Sequence, residues 1–188
     1  MCALVLWLFV SFVMADIAFV LPQNLKGHLG REYASSTTCF HLNVQSAKNK
    51  TDDLEMLFDQ FDFSFDVIML SETWYTDEVN VLKLPLYRSF CVNRTSRRGG
   101  GLSILTKDYQ CELVSDYSRI TPDYEVLCIR NNSKIFVVMY RPPKGNLEVF
   151  FDFFESFLEF VNEEKCTVVC GGDFNIDMTV DTVAKKNI

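Results

Sequence analysis

The chain has 188 residues, 48% of them hydrophobic, and a formal net charge of -7. That length and apolar content suffice for one folded domain with a substantial core and exclude a disordered chain. The acidic balance excludes a whole-molecule positive field that would capture a polyanion, so any chemistry on phosphates has to draw on local basic residues or on a bound cation.

The chain opens on an uncharged apolar run, CALVLWLFVSFVMA over residues 2–15, of the length of a signal-peptide core, with Val13-Met14-Ala15 as a small-residue cleavage site. It is too short for a stable membrane span, and no basic residues precede it. Secretion is expected if the run acts as a signal peptide, an intracellular or nuclear location otherwise. N-x-S/T triplets at Asn49, Asn93 and Asn131 are glycan acceptors in the secreted case. A polar stretch follows at 22–36, which divides the chain into an apolar leader with a polar linker over 1–36 and one domain over 37–188. The seven cysteines have no spacing suited to zinc, and several sit inside apolar runs, so they read as buried free thiols.

Within the domain, short β-branched or aromatic runs separated by turn residues predict strands at 37–43, 65–71, 101–106, 124–130, 134–140 and 166–172. The runs ending at Ser71, Tyr140 and Gly172 are nearly continuously apolar and are expected to be central strands, covered on both faces. Between the first two, Thr51 is placed to cap a helix with Asp52 and Asp53 in its first turn and Leu54, Leu57, Phe58 and Phe61 along one stripe. Before the last, Asn146 is placed to cap a second helix, whose Leu147, Phe150, Phe151, Phe154, Phe157, Leu158 and Val161 form a broad apolar face. This order predicts a layered α/β protein with antiparallel pairing in its middle.

Four of these strands end on polar residues: Asn43, Ser71-Glu72, Tyr140-Arg141 and Asp173-x-Asn175. A side chain at the end of a buried strand is held rigidly at the sheet edge, where layered α/β proteins bind ligands. Each residue alone also fits a plainer role: a turn cap for Asn43, a solvated carboxylate for Glu72, core for Tyr140, a turn aspartate for Asp173. Together the set suits a hard divalent cation that takes a few carboxylate oxygens and shares its shell with phosphate. Glu72 and Asp173 are the candidate carboxylates, with Asn43 in support.

The ordered motifs 41-HLNVQS-46, 70-LSETW-74, Gly99-Gly100-Gly101 before a strand, 140-YRPP-143 and 171-GGDFN-175 resemble the endonuclease/exonuclease/phosphatase family, most closely the amino-terminal endonuclease domain of non-LTR retrotransposons. The resemblance covers about residues 37–180. It implies a four-layer α/β sandwich, two sheets face to face with helices outside, and cleavage of phosphoesters with Mg2+ or Mn2+. By the same resemblance Glu72 is the principal metal ligand with Asn43 beside it, Tyr140 contacts the scissile phosphate, Asp173 orients or deprotonates the attacking water, and Asn175 hydrogen-bonds the phosphate. Arg97, Arg98, Arg141 and Lys144 fall in loops near that site and are candidates for DNA-backbone contacts. No protein partner is implied, and a monomer is expected.

Family members close the domain with further strands and a Ser-Asp-His element that is absent from these 188 residues. The expectation is a carboxy-terminally incomplete domain, with an open sheet edge and weakened or lost catalysis. His41, two residues before Asn43, is expected to be packed or hydrogen-bonded one step deeper along the strand. The leading reading is a metal-dependent phosphodiesterase that nicks DNA, or an inactive remnant of one. The alternatives are a phosphoesterase acting on RNA or a lipid head group, and a non-catalytic binding module.

Overall fold

The computed structural model describes residues 24–32, 36–61, 63–76, 81–95 and 99–176. The apolar run at 2–15, and Arg97 and Arg98, lie outside the described residues.

Among the described residues, nine strands form two sheets. The first contains β1 (Cys39–Asn43), β2 (Val67–Ser71), β3 (Arg88–Val92) and β4 (Leu102–Thr106) in the order β1-β2-β4-β3. The second contains β5 (Glu112–Leu113), β6 (Arg119–Ile120), β7 (Glu125–Arg130), β8 (Lys134–Tyr140) and β9 (Thr167–Asp173), in the order β5-β7-β8-β9 with β6 also pairing to β7. All pairings are antiparallel except β1 with β2 and β8 with β9. Those two parallel pairs need helical crossovers, because only a long connection brings the chain back to start in the same direction. The crossovers are α2 (Thr51–Gln60) and α3 (Leu147–Glu164). A further helix, α1 (Leu25–Glu32), precedes β1 within the stretch read as a polar linker, and its Leu25 and Leu29 pack against the apolar cluster under α2.

Three apolar layers follow. Between the sheets, Val67, Met69, Leu102 and Ile104 meet Leu127, Ile129, Phe136, Val138 and Tyr140. Outside the first sheet, Leu54 of α2 and Phe61 just after it pack with Ile68, Leu70 and Leu105, and the Phe40 ring lies 5.1–5.6 Å from those of Phe58, Phe61 and Phe65. Outside the second sheet, Phe150, Phe153, Phe154, Phe157 and Val161 of α3 cover Val126, Cys128, Val137 and Met139. Strand alternation explains the division: odd and even positions of one buried strand serve different layers. Helix, sheet, sheet and helix make the four-layer α/β sandwich that the motifs implied.

Two local expectations need correction. Thr51 does not cap α2. Lys50 occupies the cap position, and the Thr51 hydroxyl donates to the Ala47 carbonyl of the preceding 3-10 turn (3.3 Å). That earlier turn uses the hydroxyl that capping would need. Strand β9, expected to be central, has only β8 beside it among the described residues, and its first residues are partly exposed. Its apolar character reflects coverage by α3 on one face and the first sheet on the other. Asn146 does cap α3, its Oδ1 accepting from the N–H of Glu148 (2.9 Å) and Val149 (3.4 Å). Asn146→Ala is expected to cost about 1 kcal/mol, read as a lower thermal midpoint with unchanged helix content.

No helix of the described residues is long and apolar enough to cross a membrane. The cysteines described are free thiols. Burial pushes Cys128 and Cys170 up to about 12, and burial together with the Asp66 charge does the same for Cys39, which makes all three unreactive.

Candidate active site

The two parallel pairs bring four strand ends together. Asn43 ends β1 opposite Ser71 of β2, and Tyr140 ends β8 opposite Asp173 of β9. Because the sheets pack face to face, both sets of carboxyl ends reach one rim. Asn43 joins them: its Nδ2 donates to Glu72 Oε1 (3.0 Å) and to Asp173 Oδ2 (2.8 Å). One carboxamide therefore fixes two carboxylates from different sheets, 101 residues apart in sequence, no further apart than those two bonds laid end to end.

Glu72 follows β2 in a left-handed conformation (φ 55°), as does Trp74 (φ 57°). This backbone is held by donation from Thr73 N–H to the Gly101 carbonyl (3.1 Å), from Trp74 N–H to the Gly100 carbonyl (2.9 Å) and from Ser46 N–H to the Glu72 carbonyl (2.8 Å). The Trp74 indole N–H returns to Glu72 Oε2 (3.3 Å), so each carboxylate oxygen of Glu72 has a donor. Gln45, Ser46 and Asn175 are also left-handed, so strained backbone collects around the rim, as it does where function constrains geometry.

Tyr140 is 5% exposed. Burial, with the facing Glu72 carboxylate adding to it, pushes its hydroxyl well above the ordinary phenol range. The group is a hydrogen-bond donor throughout the physiological range.

The turn 173–175 is built by alternation. Phe174 is the apolar residue between two polar ones, and its ring packs on those of Phe150 (5.2 Å) and Phe154 (6.2 Å) of α3. That anchor leaves Asp173 and Asn175 on the opposite side. Asn175 N–H donates to Asp173 Oδ1 (3.1 Å), and Asn175 Nδ2 donates to the Arg141 carbonyl (2.8 Å). Glycine at 171 is a requirement of close approach, since a Cβ there would lie 2.9 Å from Met69 Sδ and 3.4 Å from His41 Cβ across the sheet interface.

Arg141 departs from the expectation of a DNA-facing loop charge. It is 7% exposed, and its guanidinium donates to the carbonyls of Phe174 (2.8 Å), Asn175 (2.6 Å), Gly145 (2.7 Å) and Pro142 (3.3 Å). A fork of five donors suits a turn whose carbonyls lack sheet partners, and it ties the Asp173 turn to the loop after β8. Lys144 stands exposed on that loop.

His41 behaves as expected of a packed residue, its Nε2 3.3 Å from Ser71 Oγ. Burial lowers its pKa to about 4, against an opposing effect of the Asp173 charge. The folded state thus refuses a proton that the unfolded chain accepts below about pH 6.5. This contribution is present above that pH and is lost as pH falls toward 4, about 3 kcal/mol in full. Chemical denaturation between pH 7 and 4.5 is expected to show falling stability, with a shallower slope in His41→Gln.

Trp74, the last residue of the LSETW motif, and Arg94 and Glu125, which lie in no motif, also belong to the surroundings of the candidate site. The one available signal was Glu125, a carboxylate set in the otherwise apolar run 124-YEVLCI-129.

Among the described residues no group of three or more His, Cys, Asp and Glu side chains is arranged to enclose a metal. Two carboxylates and a carboxamide at a rim still fit Mg2+ or Mn2+, which are held by one or two carboxylates plus waters and substrate phosphate rather than by an all-protein cage.

Two face-to-face sheets with this rim define a layered α/β protein whose candidate site lies at the carboxyl ends of both parallel strand pairs. Residues 40–185 match the model of the endonuclease/exonuclease/phosphatase family, and the chain belongs to that family. Among solved structures, TDP2 from C. elegans aligns with a TM-score of 0.55 at 14% identity, covering 84% of this chain and 54% of that one. The 3′ phosphatase NExo from Neisseria aligns at 0.48 and 16% identity (74% and 57% covered), and the endonuclease domain of TRAS1, a telomere-specific non-LTR retrotransposon, at 0.48 and 15% (78% and 64%). At these identities the likeness concerns the fold alone, and the chain spans about half to two thirds of the length of these structures. No curated protein sequence matches.

Proposed function

We propose that the chain is a metal-dependent phosphodiesterase that nicks DNA, of the retrotransposon endonuclease kind. The observation that carries this reading is Asn43, whose amide brings Glu72 and Asp173 together beside the Tyr140 hydroxyl. The retrotransposon origin rests on LSETW, RGGG, YRPP and GDFN standing in that order.

Glu72 and Asn43 would hold Mg2+ or Mn2+. Such an ion, when bound, neutralises phosphate charge and stabilises the charge that develops as the ester breaks. Asp173, oriented by Asn43 and by the Asn175 N–H, accepts the proton of the water that attacks phosphorus as the bond to the leaving oxygen breaks. Tyr140, kept protonated by burial and by Glu72, donates to a non-bridging oxygen. Asn175, steadied through Arg141, offers its remaining polar atoms to the same phosphate. Lys144, with Arg97 and Arg98, supplies sequence-independent backbone contacts.

Nicking of supercoiled plasmid by the purified chain tests the reading. Conversion to the open circle with Mg2+ and none with EDTA is the expected result. A folded chain that leaves the plasmid intact would make a non-catalytic remnant the better account.

A further inference from the structure

We propose that Glu125 is a positioning residue, which acts through Arg94 and the Gly100–Gly101 backbone to hold Glu72 in its left-handed conformation at the rim. The proposal rests on the preceding reading only in taking Glu72 as a metal ligand.

Glu125 is wholly buried at the start of β7, a costly place for a carboxylate unless every oxygen is matched. Both are matched. Oε2 accepts the Gly101 N–H (2.6 Å), and Oε1 accepts Arg94 Nε in a buried ion pair. Three consecutive left-handed glycines, 99 to 101, let the backbone come this close. The carbonyls of Gly100 and Gly101 then take the N–H groups of Trp74 and Thr73, the two residues after Glu72, and the Trp74 indole closes on Glu72 Oε2. The path from Glu125 to Glu72 is therefore continuous: carboxylate, glycine backbone, Thr73-Trp74 backbone, indole, carboxylate.

The same pair borders the other half of the site. Glu125 lies opposite Tyr140 in the β7–β8 register, and the Arg94 guanidinium carbon is 6.0 Å from the centre of the Tyr140 ring. A buried ion pair is seldom the most stabilising filling for its volume. What this one supplies is a fixed charge and donor geometry beneath a strained ligand. Partners behind a metal ligand govern its orientation, and their removal weakens binding by about 10–100-fold.

The test compares wild type, Glu125→Ala, Glu125→Gln and Glu72→Gln by residue-resolved amide exchange and by Mn2+ titration followed by electron paramagnetic resonance. In Glu125→Ala the Thr73 and Trp74 amides are expected to exchange about tenfold faster or more while Val137 in β8 keeps its protection, and Mn2+ is expected to bind about 10–100-fold more weakly. Glu125→Gln keeps an acceptor for the Gly101 N–H but gives up the charge facing Arg94, and should fall between. If the alanine variant does not fold, the glutamine variant decides by the same comparison. Unchanged protection at Thr73 and Trp74, or a loss spread evenly over both sheets, would overturn the proposal and leave Glu125 as core support. Mn2+ binding in wild type that does not depend on Glu72 would sink the metal reading instead, with the two amides still deciding the clamp.

Discussion

Asp173→Ala is expected to lower metal-dependent nicking by about a thousandfold or more while the chain stays folded. Asp173 is where three parts of the rim converge: Asn43 from the first sheet donates to Oδ2, the Asn175 N–H donates to Oδ1, and the Asp173 carbonyl accepts Arg141 N–H (3.0 Å). Alanine keeps the last of these, so the turn should survive through Arg141 and the Phe174 anchor. It removes the proposed proton acceptor and leaves Asn43 with one carboxylate to hold. Groups that act as a unit fail together, and losses of about 10³ or more are typical when one is deleted. Glu72→Gln should produce a comparable loss of activity by a different route, since it removes the proposed ligand charge and, with one acceptor oxygen in place of two, keeps only one of the Asn43 and Trp74 contacts. The two are separated by Mn2+ affinity, expected to fall much further in Glu72→Gln. Activity of Asp173→Ala within about tenfold of wild type would show that the proton goes elsewhere.

Gly100→Ala is expected to be strongly destabilising, at about 4 kcal/mol or more. Two costs combine. Gly100 sits at φ 69°, where an L residue is strained by about 1–2 kcal/mol. Its Cβ would also fall 2.3 Å from both Arg94 Nε and Glu125 Oε1, so the buried ion pair has to part. Breaking such a pair costs about 3–5 kcal/mol, against a whole-domain stability of about 5–15 kcal/mol. Gly27→Ala makes the same chemical change with the opposite sign. Among the described residues nothing beyond its chain neighbours and its own helix backbone lies within 4 Å of the new Cβ, and removing a glycine from a helix is worth about 1 kcal/mol of stabilisation. Urea unfolding of the two variants beside wild type measures the difference. A Gly100→Ala midpoint close to that of wild type would show that the region relaxes more easily than the buried pair implies.

Much of the strand and helix order was legible because apolar periodicity is a local property. Six runs predicted as strands became β1, β2, β4, β7, β8 and β9, and the helix capped by Asn146 became α3. Strands β3, β5 and β6 were missed, two of them only two residues long, formed because β7 offers an edge rather than because their own residues insist on a strand. The Thr51 cap failed for a similar reason: a 3-10 turn just upstream engaged the hydroxyl first.

For the site, the residue types at four strand ends are visible in the linear chain, and so is the family resemblance they carry. What sequence alone determined is therefore which groups exist and roughly where strands deliver them: Asn43, Glu72, Tyr140, Asp173 and Asn175, each at the end of an apolar run. Only the tertiary structure decided which of them meet. Asn43 and Asp173 are 130 residues apart and touch because the parallel edges of two sheets stack. Arg141, which reads as a loop cation, became a buried brace because the carbonyls of the 173–175 turn had no sheet partner and converged on it. Glu125, unremarked in an apolar run, gained its place from Arg94 and the Gly101 N–H arriving from the other sheet. Periodicity is written in neighbours along the chain, whereas the satisfaction of a buried charge depends on groups that only folding brings near.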